Sequence, residues 1–273
     1  MKSLRQFPFR FVFASSAGFL LLVSAAFATD PAEPLVREKP DQEYYELRIY
    51  KIFDYDKQVA AEAYLENALI PALNRMGIER VGVFTNQDDE NDHSVFVLIR
   101  FPTIGKFTAM NRELAADEEY QTAAASYFDR EKKDPVFERI ESRFMKAFAG
   151  MPVIEVPKVS VDKRPGRIFE LRLYQSHTED HARRKVKMFN DGEIQVMRDT
   201  DLGPVFFGET LIGPDVPNLV YMLSSSDEES HKQHWKDFLA HPEWNRMKVL
   251  EEYKDTVSKI QKWMLKPTTY SQL

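Results

Sequence analysis

The stretch Glu46-Leu47-Arg48-Ile49-Tyr50 recurs almost unchanged as Glu170-Leu171-Arg172-Leu173-Tyr174, which places the second copy 124 positions (170 − 46) after the first. The same offset, without a gap, relates identical residues along both copies: Asp56 and Asp180, Ile70 and Ile194, Val81 and Val205, Ala116 and Ala240, Glu119 and Glu243. Self-similarity at a fixed offset indicates a duplicated structural unit. The sequence therefore predicts a tandem duplication in which each copy is an internal control for the other.

Each copy has the pattern strand, helix, strand, strand, helix, strand. The opening strand alternates, with Leu47 and Ile49 on one face and Arg48 and Tyr50 on the other, which is typical of a half-buried strand. A first helix follows, and Pro71 is expected to kink or interrupt it. In the first copy the remaining predicted elements are a hairpin at 80–85 and 94–101, a helix at about 104–125 and a strand at 139–148. In the second copy they are a hairpin at 204–209 and 218–224, a helix at 227–252 and a strand at 257–265.

This order predicts an α+β protein made of two tandem ferredoxin-like β-α-β-β-α-β domains, each with two helices on one face of a four-stranded antiparallel sheet. The bare sheet faces would then pack sheet to sheet within one chain, forming an internal barrel with pseudo-twofold symmetry. The predicted domains span residues 43–152 and 168–273, and residues 153–167 form the linker. The alternative is that the copies pair with those of another molecule, and exposed edge strands could in either arrangement pair between chains.

The N-terminal residues 1–28 are typical of a secretory signal peptide. Basic Lys2, Arg5 and Arg10 precede an apolar run, and small Ala26 and Ala28 flank an expected cleavage point. The alternative is an uncleaved membrane anchor. We therefore expect a periplasmic or secreted protein that has no stable membrane span after cleavage near Ala28. The absence of Cys excludes disulfides, thiolate metal sites and cysteine nucleophiles.

The charge balance disfavours a nucleic-acid partner. The chain has 37 basic and 43 acidic residues, a formal net charge of −6. Cleavage after Ala28 would remove three basic residues and no acidic ones, giving −9. Phosphate binding requires clustered Lys and Arg, whereas the basic residues here are interleaved with acidic ones.

Several segments resemble the NIPSNAP family: Tyr-Glu-Leu-Arg-Ile-Tyr at 45–50, Leu-Ile-Pro-Ala-Leu at 69–73, Trp-Lys-Asp-Phe-Leu-Ala-His-Pro-Glu-Trp at 235–244 and Leu-Lys-Pro at 265–267. The resemblance spans both copies. It implies the dimeric α/β-barrel fold, here formed within one chain. Small cofactor-free monooxygenases and heme-handling proteins share this fold more distantly. The resemblance supplies no catalytic residue set, and fold alone does not determine function.

Standard catalytic and metal-binding motifs are absent from the sequence. It contains no Gly-x-Gly dinucleotide fingerprint, no Walker A segment and no Gly-x-Ser-x-Gly elbow. His177 and His181 approach a zinc-binding spacing, but Ser176 and Glu179 are spaced as a helix capping box, which explains this polar cluster without a metal. We therefore predict no metal site and no cofactor.

Four charged residues on the repeated strands form a predicted structural network: Glu46, Arg48, Glu170 and Arg172. If their face lines the barrel, the charges must pair, because an unpaired buried charge is costly. Such a network would set the register between the two sheets. The alternative is that these Arg side chains and the neighbouring Tyr residues bind an anionic or aromatic ligand.

The second helices of the two copies differ at sheet-facing positions. Phe107 and Met110 of the first copy correspond to His231 and His234 of the second, and Asn111 corresponds to Trp235. Histidine exchanges protons near neutral pH, so this change predicts a pocket in the second copy. The candidate ligand pocket comprises His231, His234, Trp235, Arg172 and Tyr174. The alternative is that the imidazoles are structural and that Trp235 and Trp244 belong to the core.

The sequence supports two functional hypotheses. The first is an exported binding or assembly protein, whose partner is a small apolar or aromatic ligand, a second copy of the chain or a periplasmic protein. The second is a cofactor-light monooxygenase or isomerase acting on a small apolar or aromatic substrate. In that hypothesis His231 or His234 is the base, and Arg172 or Tyr174 orients the substrate. Catalytic residues are not identified by the sequence.

Overall fold

The computed structural model describes residues 41–273. The predicted signal peptide lies outside these residues. Within them, the chain forms eight strands: β1 (Tyr44–Lys51), β2 (Gly82–Asn86), β3 (Val95–Phe101), β4 (Arg139–Ala147), β5 (Ile168–Gln175), β6 (Pro204–Ile212), β7 (Asn218–Ser225) and β8 (Lys259–Pro267). The helices of the first half are α1 (Tyr55–Tyr64), α2 (Ile70–Arg75), α3 (Ile104–Ala116) and α4 (Glu118–Phe128). Those that follow are α5 (Lys158–Val161), α6 (Glu179–Met188), α7 (Ile194–Asp199), α8 (Glu228–Ala240) and α9 (Pro242–Met247).

The eight strands close into one antiparallel barrel in the order β1-β3-β2-β8-β5-β7-β6-β4. Each half contributes a four-stranded sheet with the ferredoxin-like order that the sequence predicts. The halves join where β2 pairs with β8 and where β4 pairs with β6. The two sheets are thus hydrogen-bonded edge to edge around a common core. Because every strand of this barrel has two neighbours, the alternative of pairing through exposed edges is not supported.

Strand register preserves the 124-residue offset over most of each half. Arg48 lies opposite Val97, and Arg172 lies opposite Tyr221 at the equivalent position. The offset changes at the last strand, because Glu46 lies opposite Phe144 whereas Glu170 lies opposite Met264. Position 264 is 120 residues after position 144, so the connection before β8 is four residues shorter than that before β4.

Alternation along the strands divides the protein into an inner core and two outer layers. Leu47 and Leu171 belong to the apolar core inside the barrel, which large aromatic side chains fill. On the outer face, Tyr50 packs under the helices of the first half, and Tyr174 packs under those of the second. The repeated charged residues alternate with the inner ones and therefore lie on the outer, helix-facing side. The condition that their face lines the barrel is not met.

Each predicted second helix is divided into two. Asp117 ends α3 and caps α4, where its side chain accepts a hydrogen bond from the backbone N–H of Tyr120. In the second half His241 has the same role, and its Nδ1 accepts from the backbone N–H of Glu243. The prediction of one continuous helix at 104–125 and at 227–252 was therefore wrong, because helical apolar spacing continues across both capping residues.

The first helix of each half contains one π-helical turn, at Leu65–Leu69 and at Phe189–Glu193. Pro71 follows the first of these turns, as the predicted interruption requires. Gln195 occupies the equivalent position in the second half, so proline is not needed for the turn. A π-turn advances side chains around the helix, and it is present in both copies.

Equivalent segments cover the two ends of the inner core. Ile154, in the predicted linker, is buried in that core, and the neighbouring Glu155 donates its backbone N–H to the carbonyl of Val205. Leu273 is buried in the same core, where the backbone N–H of Gln272 donates to the carbonyl of Val81. Val81 and Val205 are related by the 124-residue offset, so each half is covered by the segment that follows the other half's last strand.

Candidate functional site

Glu170 on β5 is the centre of a buried polar cluster in the second half, and its side chain is 3% exposed. Its Oε1 accepts a hydrogen bond from Nη1 of Arg172 at 2.8 Å. Its Oε2 accepts from the indole N–H of Trp235 at 2.8 Å and lies 3.0 Å from Nε2 of His231. Three donors from β5 and α8 therefore converge on one carboxylate, which satisfies the requirement for pairing a buried charge.

Both ring nitrogens of His231 have polar partners. Because the Glu170 carboxylate can only accept, its hydrogen bond with His231 requires a proton on Nε2, and the indole nitrogen of Trp235 also lies 3.1 Å from that atom. The Nδ1 of His231 lies 3.0 Å from the hydroxyl of Ser225 on β7, so the second ring nitrogen is also in hydrogen-bond contact. His231 is 5% exposed and Ser225 is 2% exposed. The sheet-facing position that the sequence predicts for His231 is therefore where the structure places it.

The charge state of Glu170 is controlled by opposing effects. Burial disfavours the carboxylate, but the hydrogen bond from His231 and the positive charge of Arg172 outweigh burial and lower the pKa of Glu170 below its ordinary value. The Arg172 guanidinium lies over the Trp235 ring, with Cζ 4.6 Å from the ring centroid. This geometry allows a cation–π interaction, so Trp235 both donates to the carboxylate and supports its counter-ion.

Neither Tyr174 nor His234, the other two candidate residues, hydrogen-bonds to Glu170 among the described residues, although Arg172 Cζ lies 5.5 Å from the centroid of the Tyr174 ring. The hydroxyl of Tyr174 is 2.8 Å from that of Tyr221 within the buried layer under the helices, and burial raises the pKa of Tyr174. His234 faces a different groove, beside the segment at 155–164. The structure therefore brings together His231, Trp235 and Arg172 and separates them from His234.

The first half keeps the strand charges but not the cluster. Arg48 Nη2 lies 2.9 Å from Glu46 Oε2, and Ser142 donates to Glu46 Oε1 at 2.8 Å. In the described residues no ion pair or hydrogen bond joins this pair to Glu170 and Arg172. The charges form two separate pairs on the helix-facing side, which does not support the prediction that one network sets the register between the sheets.

Four aromatic residues fill the space above the strand in the first half. Phe107 stacks on Phe144 with ring centroids 4.0 Å apart, while Tyr44 stacks on Phe144 and Phe101 contacts Phe107 edge to face. We call these residues the aromatic plug: Tyr44, Phe101, Phe107 and Phe144. By strand register and helix offset, their counterparts are Ile168, Ser225, His231 and Met264.

Loss of the aromatic plug coincides with an open cleft of about 620 Å³ in the second half. Its floor contains Glu170, Arg172, His231, Trp235 and Met264, and its rim contains the lysines of α8 and β8. The first half completes this cleft, because Asp88 of its β2–β3 hairpin is part of the lining. The adjacent Gln87 donates to Glu228 at 2.6 Å. The site thus depends on both copies.

A second buried ion pair was missed by the sequence analysis. Lys185 Nζ lies 2.7 Å from Glu193 Oε2, with side chains 5% and 3% exposed. Burial raises the pKa of Glu193, and the positive charge of Lys185 opposes that shift. The 124-residue offset places Ala61 and Leu69 at the equivalent positions. The signal was therefore available, because two apolar residues of one copy are charged in the other.

The polar cluster at His177 and His181 is explained by helix capping, although not by the predicted capping box. Thr178 caps α6, and its hydroxyl accepts from the backbone N–H of His181. Ser176 instead donates to the carbonyl of Thr256. Among residues 41–273, no group of three or more His, Asp or Glu side chains is placed to hold a metal ion. Across the same residues, the helices are too short or too polar to span a membrane.

Comparisons with known proteins identify the repeated unit. The NIPSNAP family model matches residues 45–152 and 169–272, and a comparison with curated proteins found no match. A solved structure from Lactobacillus acidophilus NCFM, described as a proposed monooxygenase, is 11% identical, with a TM-score of 0.56 over 83% of this chain and 94% of that chain. A similarly described structure from Fusobacterium nucleatum is 9% identical, with a TM-score of 0.55 over 83% and 93%. A NIPSNAP-like domain protein from Burkholderia xenovorans is 23% identical over 38% of this chain and 88% of that chain, with a TM-score of 0.35.

Proposed function

The chain belongs to the NIPSNAP family and carries two copies of its domain, and from that premise we propose that it binds a small organic ligand in the cleft of its second half. One observation carries this proposal. The first half fills the space above its repeated strand with the aromatic plug, whereas the second half has His231 and Met264 where the plug has Phe107 and Phe144. Concave sites with a few converging polar groups are typical of ligand-binding pockets.

The chemistry of the cleft suits a ligand with an apolar portion. Trp235 and Met264 supply apolar surface beside the charged groups of the floor. Both side chains can pack against a flat ring system, and methionine adapts readily to ligand shape. This agrees with the expectation of a small apolar or aromatic ligand, provided that the ligand also satisfies the polar groups.

Native mass spectrometry of the protein purified from its own host tests the proposal. We expect a small molecule to be retained by the parent protein and lost from the double variant His231→Phe/Met264→Phe, which restores the stacked pair of the first half. The variant Phe107→His is the matched control, because it alters the first half and should leave retention unchanged. Ligand-free parent protein, or equal retention by the double variant, would contradict the proposal.

A cofactor-light monooxygenase or isomerase is the second candidate. It is favoured by the hydrogen-bonded series Ser225, His231 and Glu170, because a carboxylate that orients an imidazole is a common arrangement for a general base. The proteins from Lactobacillus acidophilus and Fusobacterium nucleatum are described as proposed monooxygenases. Their low identity carries only the fold to this chain, so their activity is a hypothesis here.

Binding is preferred to catalysis because both nitrogens of His231 are already engaged. Proton abstraction from a substrate would require Nδ1 to exchange its contact with Ser225 for one with the substrate. Oxygen uptake or proton exchange with a retained ligand, abolished by His231→Gln, would instead support the enzyme hypothesis. Retention without turnover would support binding alone.

We also propose that this activity operates outside the cytoplasm. The basic, apolar and small-residue pattern at 1–28 supports export. Cell fractionation combined with N-terminal sequencing tests the proposal. We expect the mature protein in the periplasm or medium with a new N-terminus near residue 29, and recovery of the intact chain from the cytoplasm would contradict it.

A further inference from the structure

We propose that the ligand of this cleft is an organic anion, whose carboxylate or phosphate group is held by Arg172, Lys236 and Lys262. The inference rests on the proposed binding function and specifies the ligand class. It follows from a comparison of the donors and acceptors in the cleft that the protein itself leaves unused. Charged ligand groups select complementary charges that lack partners within the protein.

The acceptor capacity of the floor is largely consumed by the protein. Glu170 has contacts with the donor groups of Arg172, His231 and Trp235 within 3.0 Å. A ligand donor would therefore have to compete with three donors that are already aligned on the carboxylate. In addition, breaking these contacts would leave buried donors unsatisfied, which is unfavourable. The floor is consequently poor at accepting hydrogen bonds from a ligand.

The donor capacity is not consumed in the same way. Arg172 contacts Glu170 through Nη1, but its Nε is buried without a hydrogen-bond partner among the described residues. Lys262 lies directly across the strand pair from Arg172, and Lys236 lies on the facing helix. Neither lysine forms an ion pair within residues 41–273, although both line the cleft. Three cationic groups therefore surround the space above Glu170.

The acidic residues of the rim do not cancel this excess of cations. Glu228 is paired with Lys232 at 3.2 Å and also accepts from Gln87. Asp88 is the remaining acidic side chain of the lining, and it forms no ion pair among the described residues. Lys236 and Lys262 together with the free donors of Arg172 thus outnumber it. A ligand carrying a carboxylate or phosphate would supply the missing acceptors.

The first half lacks one of these cations and keeps the equivalent of another, because Ser142 replaces Lys262 whereas Arg112 corresponds to Lys236. Arg48 lies opposite Ser142 at the position where Arg172 lies opposite Lys262. Ser142 donates its hydroxyl to Glu46, so that side chain completes an internal contact. Lys262, the counterpart of Ser142, has no such internal role, because Glu170 is already paired with Arg172. The open cleft and the added cation therefore occur together.

Binding of matched probes measures the contribution of charge directly. We would titrate the full chain with 2-naphthoate, 2-naphthyl phosphate and the neutral analogue 2-naphthamide, using calorimetry and tryptophan fluorescence. Charge-assisted hydrogen bonds are stronger than neutral ones. We therefore expect at least one of the two anions to bind about tenfold more tightly than the amide and its affinity to fall as salt increases.

Lysine variants assign that preference to the cleft. Lys262→Ser restores the residue of the first half and should reduce the affinity for the preferred anion about tenfold while leaving the affinity for the amide unchanged. Lys259→Ser on the same strand is the matched control, because Lys259 is exposed and does not line the cleft. It should leave both affinities unchanged.

The outcomes separate the ligand class from the binding function. Equal or tighter binding of the amide, no effect of Lys262→Ser, or no binding of any probe to the parent protein would overturn the anion proposal. The binding function would nevertheless stand if native mass spectrometry detected a neutral molecule that His231→Phe/Met264→Phe fails to retain. Failure of that retention experiment would overturn both.

Discussion

His231 Nε2 lies 3.0 Å from Glu170 Oε2, whereas Phe107, at the equivalent position of the first half, has its ring stacked 4.0 Å from that of Phe144. The two copies thus differ in the side chains that cover the charged residues of the repeated Glu-Leu-Arg strand. In the first, an aromatic stack covers the paired charges. In the second, an imidazole from the covering helix joins them. The polar arrangement costs apolar packing but creates a cleft with directed donors.

Replacement of Glu170 by Gln should destabilise the protein by about 3 kcal/mol, because Arg172 would lose its buried counter-ion. His231 and Trp235 would also lose a charged acceptor. Denaturant unfolding gives the free-energy change directly. The reference variant is Glu46→Gln in the first half, where the carboxylate is paired with Arg48 and accepts from Ser142.

We expect Glu170→Gln to cost about 1 kcal/mol more than Glu46→Gln, since it removes one additional charge-assisted contact. Equal costs would contradict a special role for the His231 and Trp235 contacts. A smaller cost for Glu170→Gln would show that the cluster stabilises the fold less than the simple pair does.

Acid should lower the free energy of unfolding partly through protonation of Glu170. Its pKa is lower in the folded state than its ordinary value, so its contribution to stability is present above that ordinary value. The contribution is lost as pH falls through the lowered folded-state pKa. Unfolding free energies measured between about pH 3 and pH 6 should therefore decrease more steeply for the parent protein than for Glu170→Gln.

This difference is not confounded by Glu193, whose pKa is raised by burial. A raised folded-state pKa contributes stability that is present at low pH and lost as pH rises through that pKa. The Glu193 contribution has the opposite sign and is common to both proteins, so it cancels in the comparison. If the unfolding free energies of parent and variant decreased equally with falling pH, titration of Glu170 would not contribute to the loss of stability in acid.

Much of the fold could be predicted from the repeated strand, because a fixed offset constrains element order, pairing and the position of each equivalent side chain. The sequence also placed His231 on the sheet-facing side of α8. The breaks at Asp117 and His241 were not predicted, because the apolar helical spacing on which the prediction relied continues across both capping residues. Capping depends on local backbone geometry as well as residue type.

The candidate site was only partly predictable for a related reason. Helical spacing indicates that His231 and His234 are neighbours, but three residues span about 300° of helix rotation. One ring therefore faces Glu170 and the other faces a separate groove. The contribution of Asp88 from the other half depends on barrel closure, which juxtaposes residues distant in sequence. Ser225 was not singled out because a serine at a strand end has no distinctive pattern by itself.

The position of Leu273 predicts a stabilising role for the segment after β8. Its side chain is 1% exposed and packs in the inner core of the barrel. Replacement by Ala should lower the free energy of unfolding by about 2–4 kcal/mol through lost burial and a residual cavity. Thermal and denaturant unfolding check the change, and Leu239→Ala, at an exposed position on α8, is the control. Equal effects of the two substitutions would contradict burial as the cause.

Lys185 and Glu193 allow a double-mutant cycle whose replacements are taken from the protein itself. Removal of either charge leaves its partner buried, so Lys185→Ala and Glu193→Leu should each cost about 3 kcal/mol. The double variant restores the first-half pair Ala61 and Leu69. It should cost less than the sum of the single changes by about 2 kcal/mol or more, because neither charge remains.

Denaturant unfolding at neutral pH gives all four free energies. The variants Lys187→Ala and Lys187→Ala/Glu193→Leu are the control, because Lys187 is half-exposed and pairs with Asp191 instead. If the costs of Lys185→Ala and Glu193→Leu add, their 2.7 Å contact carries no coupling energy. If they do not add, while the costs of Lys187→Ala and Glu193→Leu do, the coupling energy belongs to the buried pair Lys185 and Glu193.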